Sequence, residues 1–189
     1  MTTFDDALAF VLAREGCDLA HGDTGYVNNA NDPGGATNYG ITQETYNRAR
    51  AAAGESVQSV RDISYDEVGT IYRRDYWNAA HCQDFADPHP KLALVHFDCA
   101  VNMGLHQAAL CLQRALGVTV DGIVGPETIA AAIGCAEAET VSAYLVDRAR
   151  IYRQIVEGRP ASAVFLKGWL ARLRWCARAA GVPIDPSFA

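Results

Sequence analysis

Several kinds of segment that would place a chain in a special class are missing from this 189-residue sequence. No apolar run approaches the ~20 residues that a membrane-spanning helix needs, so we expect no stable membrane insertion. We find no internal repeat and no low-complexity tract, and half of the residues are hydrophobic, which is an ordinary globular composition. The length fits one domain with a sizeable core.

A secretory leader and a metal-binding motif are missing as well. The N-terminus, MTTFDDALAF, is acidic where a signal peptide is basic, so we expect synthesis in the cytoplasm without a signal peptide. The six cysteines and five histidines form neither a Cys-x-x-Cys pair nor a tight Cys/His cluster. Zinc sites need such groupings, so we expect no metal and no other cofactor. Cys99, Cys111 and Cys176 lie in Ala- and Leu-rich sequence, where buried thiols are expected rather than disulfides.

Charge is unevenly distributed along the chain, whose net charge is −6. Residues 1–140 hold 8 Lys/Arg and 19 Asp/Glu, whereas residues 141–189 hold 8 against 3. The acidic majority argues against nucleic acid as a partner. The cationic end predicts either a solvated face or a surface that is attracted to an anionic wall or membrane over the Debye length, ~10 Å at 0.1 M salt.

What the sequence does contain is helical periodicity along most of its length. Thr42 and Ser64 are predicted N-caps, the second in a capping box with Glu67, and Pro126 suits the first turn of a helix. The predicted helices cover residues 3–15, 42–53, 64–80, 91–104, 108–116, 126–132, 136–158 and 162–180.

The stretch from Arg14 to Thr42 differs from its surroundings because it is dense in Gly, Asn and Asp. Glu15 stands near its start, four residues after Val11 and three after Leu12, and so continues the apolar stripe of the first predicted helix. A carboxyl held against an apolar face loses hydration, which favours its protonated form. A glycosidase needs such an acid to protonate the leaving sugar oxygen. The alternative is a solvated residue in the last helical turn.

The loop that follows supplies partners for this acid. Asp32 and Thr37 could face Glu15 if residues 24–40 form a hairpin or folded loop with its glycines in the turns. Two carboxylates that flank one glycosidic bond, one protonated and one ionised, form the usual machinery of glycoside hydrolysis. A hydroxyl such as that of Thr37 could then help to place the attacking water.

Two separated motifs carry a resemblance to a known family. The first comprises Glu15-Gly16, Gly25-Tyr26-Val27-Asn28, Asp32-Pro33-Gly34-Gly35-Ala36-Thr37-Asn38 and Tyr39-Gly40-Ile41-Thr42. The second comprises Ala100-Val101-Asn102-Met103-Gly104, Leu112 to Val118 and Asp121 to Thr128. With them the sequence resembles glycoside hydrolase family 108, the N-acetylmuramidases that include phage endolysins and secretion-activator proteins, together with the predicted peptidoglycan-binding region that completes that family.

The resemblance implies a mainly α, lysozyme-like helical domain with a small β-hairpin or irregular β element near residues 25–40. We expect one domain over residues 1–189, in which residues 1–90 carry the catalytic motif and residues 91–189 form a helical peptidoglycan-binding half that does not fold independently. The implied reaction is hydrolysis of the β-1,4 bond between N-acetylmuramic acid and N-acetylglucosamine.

The same resemblance suggests roles for individual residues. Glu15 is the expected general acid, Asp32 the base or electrostatic stabiliser, and Thr37 the residue that places water. The residues expected to hold the glycan are Tyr26, Tyr39, Asp98 and Asn102. The last two share one face of an apolar helix, where polar residues are either buried and mutually satisfied or exposed in a groove, and the pattern leaves both readings open.

One departure from the family pattern keeps alternatives open. Eight residues, Cys17 to Thr24, separate Glu15-Gly16 from Gly25-Tyr26, where the family runs on directly. If this insertion displaces Glu15, the protein would be a non-catalytic wall-binding or secretion-accessory protein. A lytic transglycosylase, in which the muramic 6-hydroxyl replaces water, is the other alternative.

The expected partners follow from the implied reaction. We expect a monomer that binds peptidoglycan glycan strands and acts on the cell wall in the periplasm. Because no signal peptide is expected, release from the cytoplasm would need another route, such as a holin-type export partner.

Overall fold

The computed structural model describes residues 4–28 and 35–189, which form two compact units, residues 4–75 and residues 76–189. The described part of the chain contains eight α-helices and one two-stranded antiparallel sheet. This confirms the predicted mainly α class with a small β element. That all 189 residues act as one domain with halves meeting near residue 90 stays a prediction.

The first unit holds three helices around a short hairpin. Its elements are α1 (Phe4–Leu12), β1 (Thr37–Asn38), β2 (Ile41–Thr42), α2 (Gln43–Ala52) and α3 (Tyr65–Tyr72). Local caps set the helix starts: the Thr42 hydroxyl accepts from the Thr45 N–H at 3.2 Å, and Ser64 forms the predicted capping box with Glu67. Arg73–Asn78 forms a π-helical segment where a regular helix to Ala80 was expected.

The end of α1 differs from the prediction. The helix stops at Leu12, and residues 13–16 form a turn, so Glu15 lies just beyond the helix rather than in its last turn. The Glu15 N–H still donates to the carbonyl oxygens of Val11 and Leu12, at 3.1 and 3.0 Å. The chain leaves the helical path at Gly16, whose φ of +91° disfavours residues with a Cβ.

The second unit is built from five helices. They are α4 (Pro90–Met103), α5 (Leu105–Leu116), α6 (Pro126–Ile133), α7 (Glu137–Gly158) and α8 (Ala163–Ala180). Pro126 opens α6 and Gly117 closes α5 in the left-handed conformation, as the sequence predicted. Pro90 opens α4, which was expected to begin at residue 91. Helices α4, α5, α7 and α8 pack together, and α4 is buried on all sides from Leu92 to Ala100.

The core of this unit contains polar groups as well as apolar ones. His96 is fully buried, with Nε2 3.1 Å from the carbonyl oxygen of Ala80 and Nδ1 2.9 Å from the Tyr144 hydroxyl oxygen. Burial lowers the pKa of His96 to about 4, so the ring is neutral at pH 7. Cys99, Cys111 and Cys176 are buried free thiols, as expected from their helical surroundings.

Within the described residues, no helix combines the length and the apolar character needed to cross a membrane.

Candidate active site

Glu15 lies at a point where three segments of the first unit meet. Its side chain is half-buried and follows the apolar face of α1, whose Val11 and Leu12 are completely buried. Gly25 and Gly40 approach it from the loop and from the hairpin. A Cβ built at Gly25 would lie 3.5 Å from the Glu15 carbonyl oxygen, and one built at Gly40 would lie 3.4 Å from both Cβ and Cγ of Glu15. These glycines therefore allow backbone to pack against the acid.

The eight-residue insertion closes on itself before it reaches Gly25. Asp18 and Asp23 exchange both backbone hydrogen bonds, Asp18 N to Asp23 O at 2.8 Å and the reverse at 2.9 Å. A short 3-10 turn, Leu19–His21, and Gly22 with φ +75° complete the loop. A Cβ at Gly25 would lie only 3.4 Å from the Gly16 carbonyl group. The insertion is therefore a closed loop that brings Gly25 back beside Gly16. The two parts of the motif remain close together in space.

The buried thiol of Cys17 helps to close this loop. Its Sγ donates to the Thr24 carbonyl oxygen at 3.2 Å. Burial, followed by the negative charges of Asp23 and Glu15, raises the pKa of Cys17 to about 11. The thiol is therefore protonated at neutral pH and acts as a hydrogen-bond donor rather than as a nucleophile.

The hairpin above Glu15 turns in two residues, Tyr39 and Gly40. Both have positive φ, +52° and +73°, which is the pattern of a type I′ turn. A Cβ at Gly40 would also lie 2.9 Å from the Tyr72 hydroxyl oxygen, so this close approach requires glycine. Tyr72 donates to the Tyr39 carbonyl oxygen at 2.9 Å, and the Tyr39 N–H donates to Thr24 O at 2.9 Å. These bonds hold Tyr39 in a conformation that costs a non-glycine residue energy.

A buried asparagine fixes the base of the same hairpin. Asn38 is 2% exposed, and its side-chain amide donates to the carbonyl oxygens of Val60 and Arg61, each at 3.1 Å. On the other side, the ring of Tyr39 meets that of Tyr65 edge-on, with centroids 6.3 Å apart. The hairpin is therefore held by side chains from both sides, which gives Glu15 a fixed neighbour.

The remaining predicted residues of this unit lie along the hairpin. Thr37 is half-buried, pairs with Thr42 across the sheet, and exchanges backbone hydrogen bonds with Val27 at 2.8 and 2.9 Å. Tyr26 is half-buried, and the Arg61 guanidinium carbon lies 5.6 Å from its ring centroid. Asp32, the predicted base, lies outside the described residues.

Asp98 and Asn102 lie in the second unit, where each binds side chains of α7 or α8. Asp98 is completely buried: its Oδ2 accepts from Arg148 and its Oδ1 from Arg172, both at 2.9 Å. Asn102 is half-buried, and its Oδ1 accepts from the Tyr152 hydroxyl at 2.5 Å. Of the two readings that the spacing left open, Asp98 fits the buried one, and each residue bonds to side chains of α7 or α8 rather than to the other.

Charge keeps this cluster ionised inside the protein. Burial alone would raise the pKa of Asp98, but the guanidinium groups of Arg148 and Arg172 hold it below its usual range. Cys176 adds a thiol donor at 3.4 Å from Oδ2. In this structure the carboxylate is therefore not open to a sugar, and its partners are arginines rather than glycan. Arg148 is itself fully buried and Arg172 7% exposed, so neither contributes to a solvated cationic face.

The sequence interpretation missed the residues that position the acid. Tyr72 falls within the predicted helix 64–80, where nothing singles it out, and Gly25 and Gly40 appear only as members of the first motif. The two glycines stand in the motif beside Glu15, which was an available signal. The tyrosine hydroxyl had none, because its contact with the hairpin spans 33 residues.

No group of three His, Cys, Asp or Glu side chains in residues 4–28 and 35–189 is arranged to hold a metal ion. The acid–base chemistry available at this site is that of carboxyl, hydroxyl and phenol groups.

Comparisons with known proteins agree with this geometry. Residues 8–104 match the model of the family described as glycosyl hydrolase 108, and residues 107–174 match that of a predicted peptidoglycan domain. Among solved structures, the chain is similar to SagA of Brucella abortus, with 29% identity, 97% of each chain covered and a TM-score of 0.69. A comparison with curated protein sequences gives no match. The likeness to this structure confirms the lysozyme-like helical fold.

Proposed function

The chain belongs to glycosyl hydrolase family 108, and on that premise we propose that it hydrolyses the β-1,4 bond between N-acetylmuramic acid and N-acetylglucosamine. A glycosyl hydrolase domain followed by a peptidoglycan domain makes the protein a peptidoglycan hydrolase. The choice of bond and the roles of individual residues are the proposal.

One observation carries the proposed mechanism: the turn of the hairpin comes close to the side chain of Glu15. A Cβ built at Gly40 would lie 3.4 Å from the aliphatic Cβ and Cγ of the acid, and Thr37 lies at the start of the same hairpin. The acid is thus held beside the element that carries the rest of the motif. Fixed geometry of this kind supplies much of the rate acceleration when a catalytic group must meet a bound substrate.

We assign the proton donor as Glu15, which protonates the leaving glycosidic oxygen as the bond breaks. Asp32 would act as the base that activates water or as the stabiliser of the oxocarbenium-like transition state. The hydroxyl of Thr37 would place the water. Tyr26 and Tyr39 would contact the sugars, since both rings belong to the same loop and hairpin.

The closed insertion supports a catalytic over a non-catalytic protein. A displaced Glu15 would remove the acid from the motif, but the loop returns Gly25 so close to Gly16 that a Cβ built at Gly25 would lie 3.4 Å from the Gly16 carbonyl group. The spatial continuity of the motif is therefore kept despite the extra eight residues.

The test removes the proton donor at nearly constant shape. Glu15→Gln should lower the rate of sacculus lysis on the order of 10²–10⁴-fold, the usual share of general acid catalysis. Glu44→Gln, a change of the same type at an exposed position on α2, is the matched control and should lyse sacculi like the wild type. Lysis by Glu15→Gln at the wild-type rate would refute the mechanism.

Mass spectrometry of the products tests the choice of bond and the role of Asp32. Hydrolysis as proposed yields reducing N-acetylmuramic acid ends, whereas reducing glucosamine ends would mean cleavage of the other bond. Asp32→Asn should lose most activity and still bind glycan, and Thr37→Ala should lose less. Full activity of Asp32→Asn together with anhydro-muramic products would identify a lytic transglycosylase instead.

A further inference from the structure

We propose that Phe165 and Trp169 of α8 form an aromatic platform that binds the glycan strand of peptidoglycan. The platform belongs to the unit of residues 76–189 and adds a binding site to the proposed hydrolase, on whose substrate the inference rests. It would hold an insoluble strand through contacts that take no part in bond cleavage.

The platform is the outer part of a stack of three rings. Phe165 and Trp169 are four residues apart and so share one face of α8, with ring centroids 5.8 Å apart and an interplanar angle of 30°. Trp169 stacks in turn on Tyr152 of α7, at 5.1 Å and 21°. Phe165 is 58% exposed, Trp169 half-buried and Tyr152 only 2% exposed. The stack therefore runs from the protein surface into its core.

The inner ring is fixed by the buried ionic cluster. The Tyr152 hydroxyl donates to Asn102 at 2.5 Å and accepts from Arg148 at 3.1 Å. Arg148 is held by Asp98. Asp98 and Asn102 therefore act on the platform through Tyr152, which gives them a positioning role rather than contact with sugar. A platform with a rigid base loses little conformational entropy when a ligand binds.

The chemistry of the surface favours a saccharide. Contiguous exposed apolar surface marks sites that meet a partner, and next to Phe165 the side chain of Val164 is 77% exposed. The apolar C–H face of a pyranose ring matches a flat aromatic surface, and a glycan strand presents many such faces. The platform also lies within residues 107–174, the part of the chain that matches a peptidoglycan domain.

Charge favours the same polymer. Apart from the buried Arg148 and Arg172, residues 141–189 carry six Lys/Arg against three Asp/Glu. The lactyl groups and stem peptides of peptidoglycan carry carboxylates, so this end of the chain attracts the polymer over the Debye length, ~10 Å at 0.1 M salt. Attraction brings the strand near, and stacking on the two rings then provides the contact.

The test measures binding separately from cleavage. In a Glu15→Gln background, Phe165→Ala should bind purified sacculi on the order of tenfold more weakly in a sedimentation assay, because the contact between the Phe165 ring and a sugar ring is lost. Phe165→Trp should bind like the parent. Ile184→Ala is the matched control, since Ile184 is also an exposed apolar residue of the same unit, at 42%, and lies outside residues 107–174. It should leave binding unchanged.

Further binding experiments distinguish the glycan from other ligands that the platform could bind. Sacculi stripped of stem peptides by an amidase should still bind the parent and still discriminate against Phe165→Ala. Loss of all binding to stripped sacculi would overturn the proposal in favour of a peptide site. Equal binding by parent and Phe165→Ala, or loss with Ile184→Ala alone, would also overturn it. So would a Phe165-dependent shift in oligomeric state or in binding to anionic phospholipid vesicles with no change on sacculi.

Failure of this inference is distinguishable from failure of the proposed function. With the catalytic Glu15 present, Phe165→Ala should cleave short soluble glycan fragments at the wild-type rate and intact sacculi more slowly. Thermal unfolding should be unchanged, because the removed ring is mostly exposed. If soluble fragments are not cleaved even by the wild type, the proposed activity fails, while the sedimentation result still decides whether the platform binds glycan.

Discussion

The surroundings of Glu15 and of Asp98 show two uses of a carboxyl group that look similar in sequence. Each acid follows or interrupts an apolar helical pattern. Glu15 is half-buried beyond the end of α1, and backbone of the motif comes close to it at Gly25 and Gly40. Asp98 is completely buried inside α4 and is enclosed by side chains, chiefly two arginines. An acid on an apolar face thus indicates either a functional group or an internal ion pair, and its partners decide which.

The two regions also differ in what maintains them. Around Glu15, glycines with positive φ and backbone hydrogen bonds set the positions, so a single added methyl group is a large change. Around Asp98, the balance of charge sets the stability, because an unpaired ion inside the protein is costly. We therefore expect changes near Glu15 to affect activity first and changes near Asp98 to affect the free energy of unfolding first.

The largest expected difference between the two regions is the loss of stability caused by Asp98→Asn. This substitution leaves the buried guanidinium groups of Arg148 and Arg172 without a counter-charge, which should lower the free energy of unfolding by about 3–5 kcal/mol. Chemical denaturation measures this loss. Glu15→Gln is the counterpart in the other region and should stay within about 0.5 kcal/mol of the wild type. Equal losses in the two variants would contradict the distinction between them.

A change of pH tests the interior of the second unit without a change in its packing. The folded-state pKa of His96 is about 4, against about 6.5 in the unfolded chain. Between these values the unfolded state binds more protons, so stability is complete above pH 6.5 and falls as the pH drops towards 4. The loss should reach about 3 kcal/mol. Asp98, whose pKa is lowered, loses its contribution only at more acid pH.

Denaturation curves at pH 7, 6, 5 and 4 check this dependence. His96→Gln should be less stable at pH 7, since it disturbs a filled core, yet its stability should vary much less over the same range. A wild-type slope that survives in His96→Gln would assign the effect to another group.

Gly40→Ala tests the backbone side of the comparison, and its expected effect on stability is smaller than that of either test in the second unit. Gly40 has φ +73°, a conformation that costs a residue with a Cβ about 1–2 kcal/mol. The added methyl would also press on Glu15 and on Tyr72, and a displacement near 1 Å can lower the rate on the order of 10²-fold. Lysis rate and thermal unfolding should both be measured.

Gly54→Ala is the matched control for this change. Gly54 has the same φ of +73°, but a Cβ there would meet no atom within 4 Å. It should lose similar stability and keep its activity. If both alanine variants lose activity equally, the contact between Gly40 and Glu15 is not what positions the acid.

Much of the helical architecture could be predicted because it depends on neighbouring residues. The N-caps at Thr42 and Ser64 and the prolines that open α4 and α6 act within one turn, so their meaning is contained in the local sequence. The exception is the end of α1, where the helix stops at Leu12, short of the predicted end at residue 15. The family motif likewise indicated the hydrolase class from residues that are close together in the chain.

The sequence by itself thus determined the fold class, the family and the identity of Glu15 as the candidate acid. Only the tertiary structure decided that the insertion closes and returns Gly25 to Gly16, since two backbone hydrogen bonds between Asp18 and Asp23 leave no mark in composition. It also decided that Asp98 is an internal ion, because Arg148 and Arg172 follow it by 50 and 74 residues. Whether a charged group faces solvent or a counter-ion depends on packing between distant helices, and periodicity reports only the face on which a residue lies.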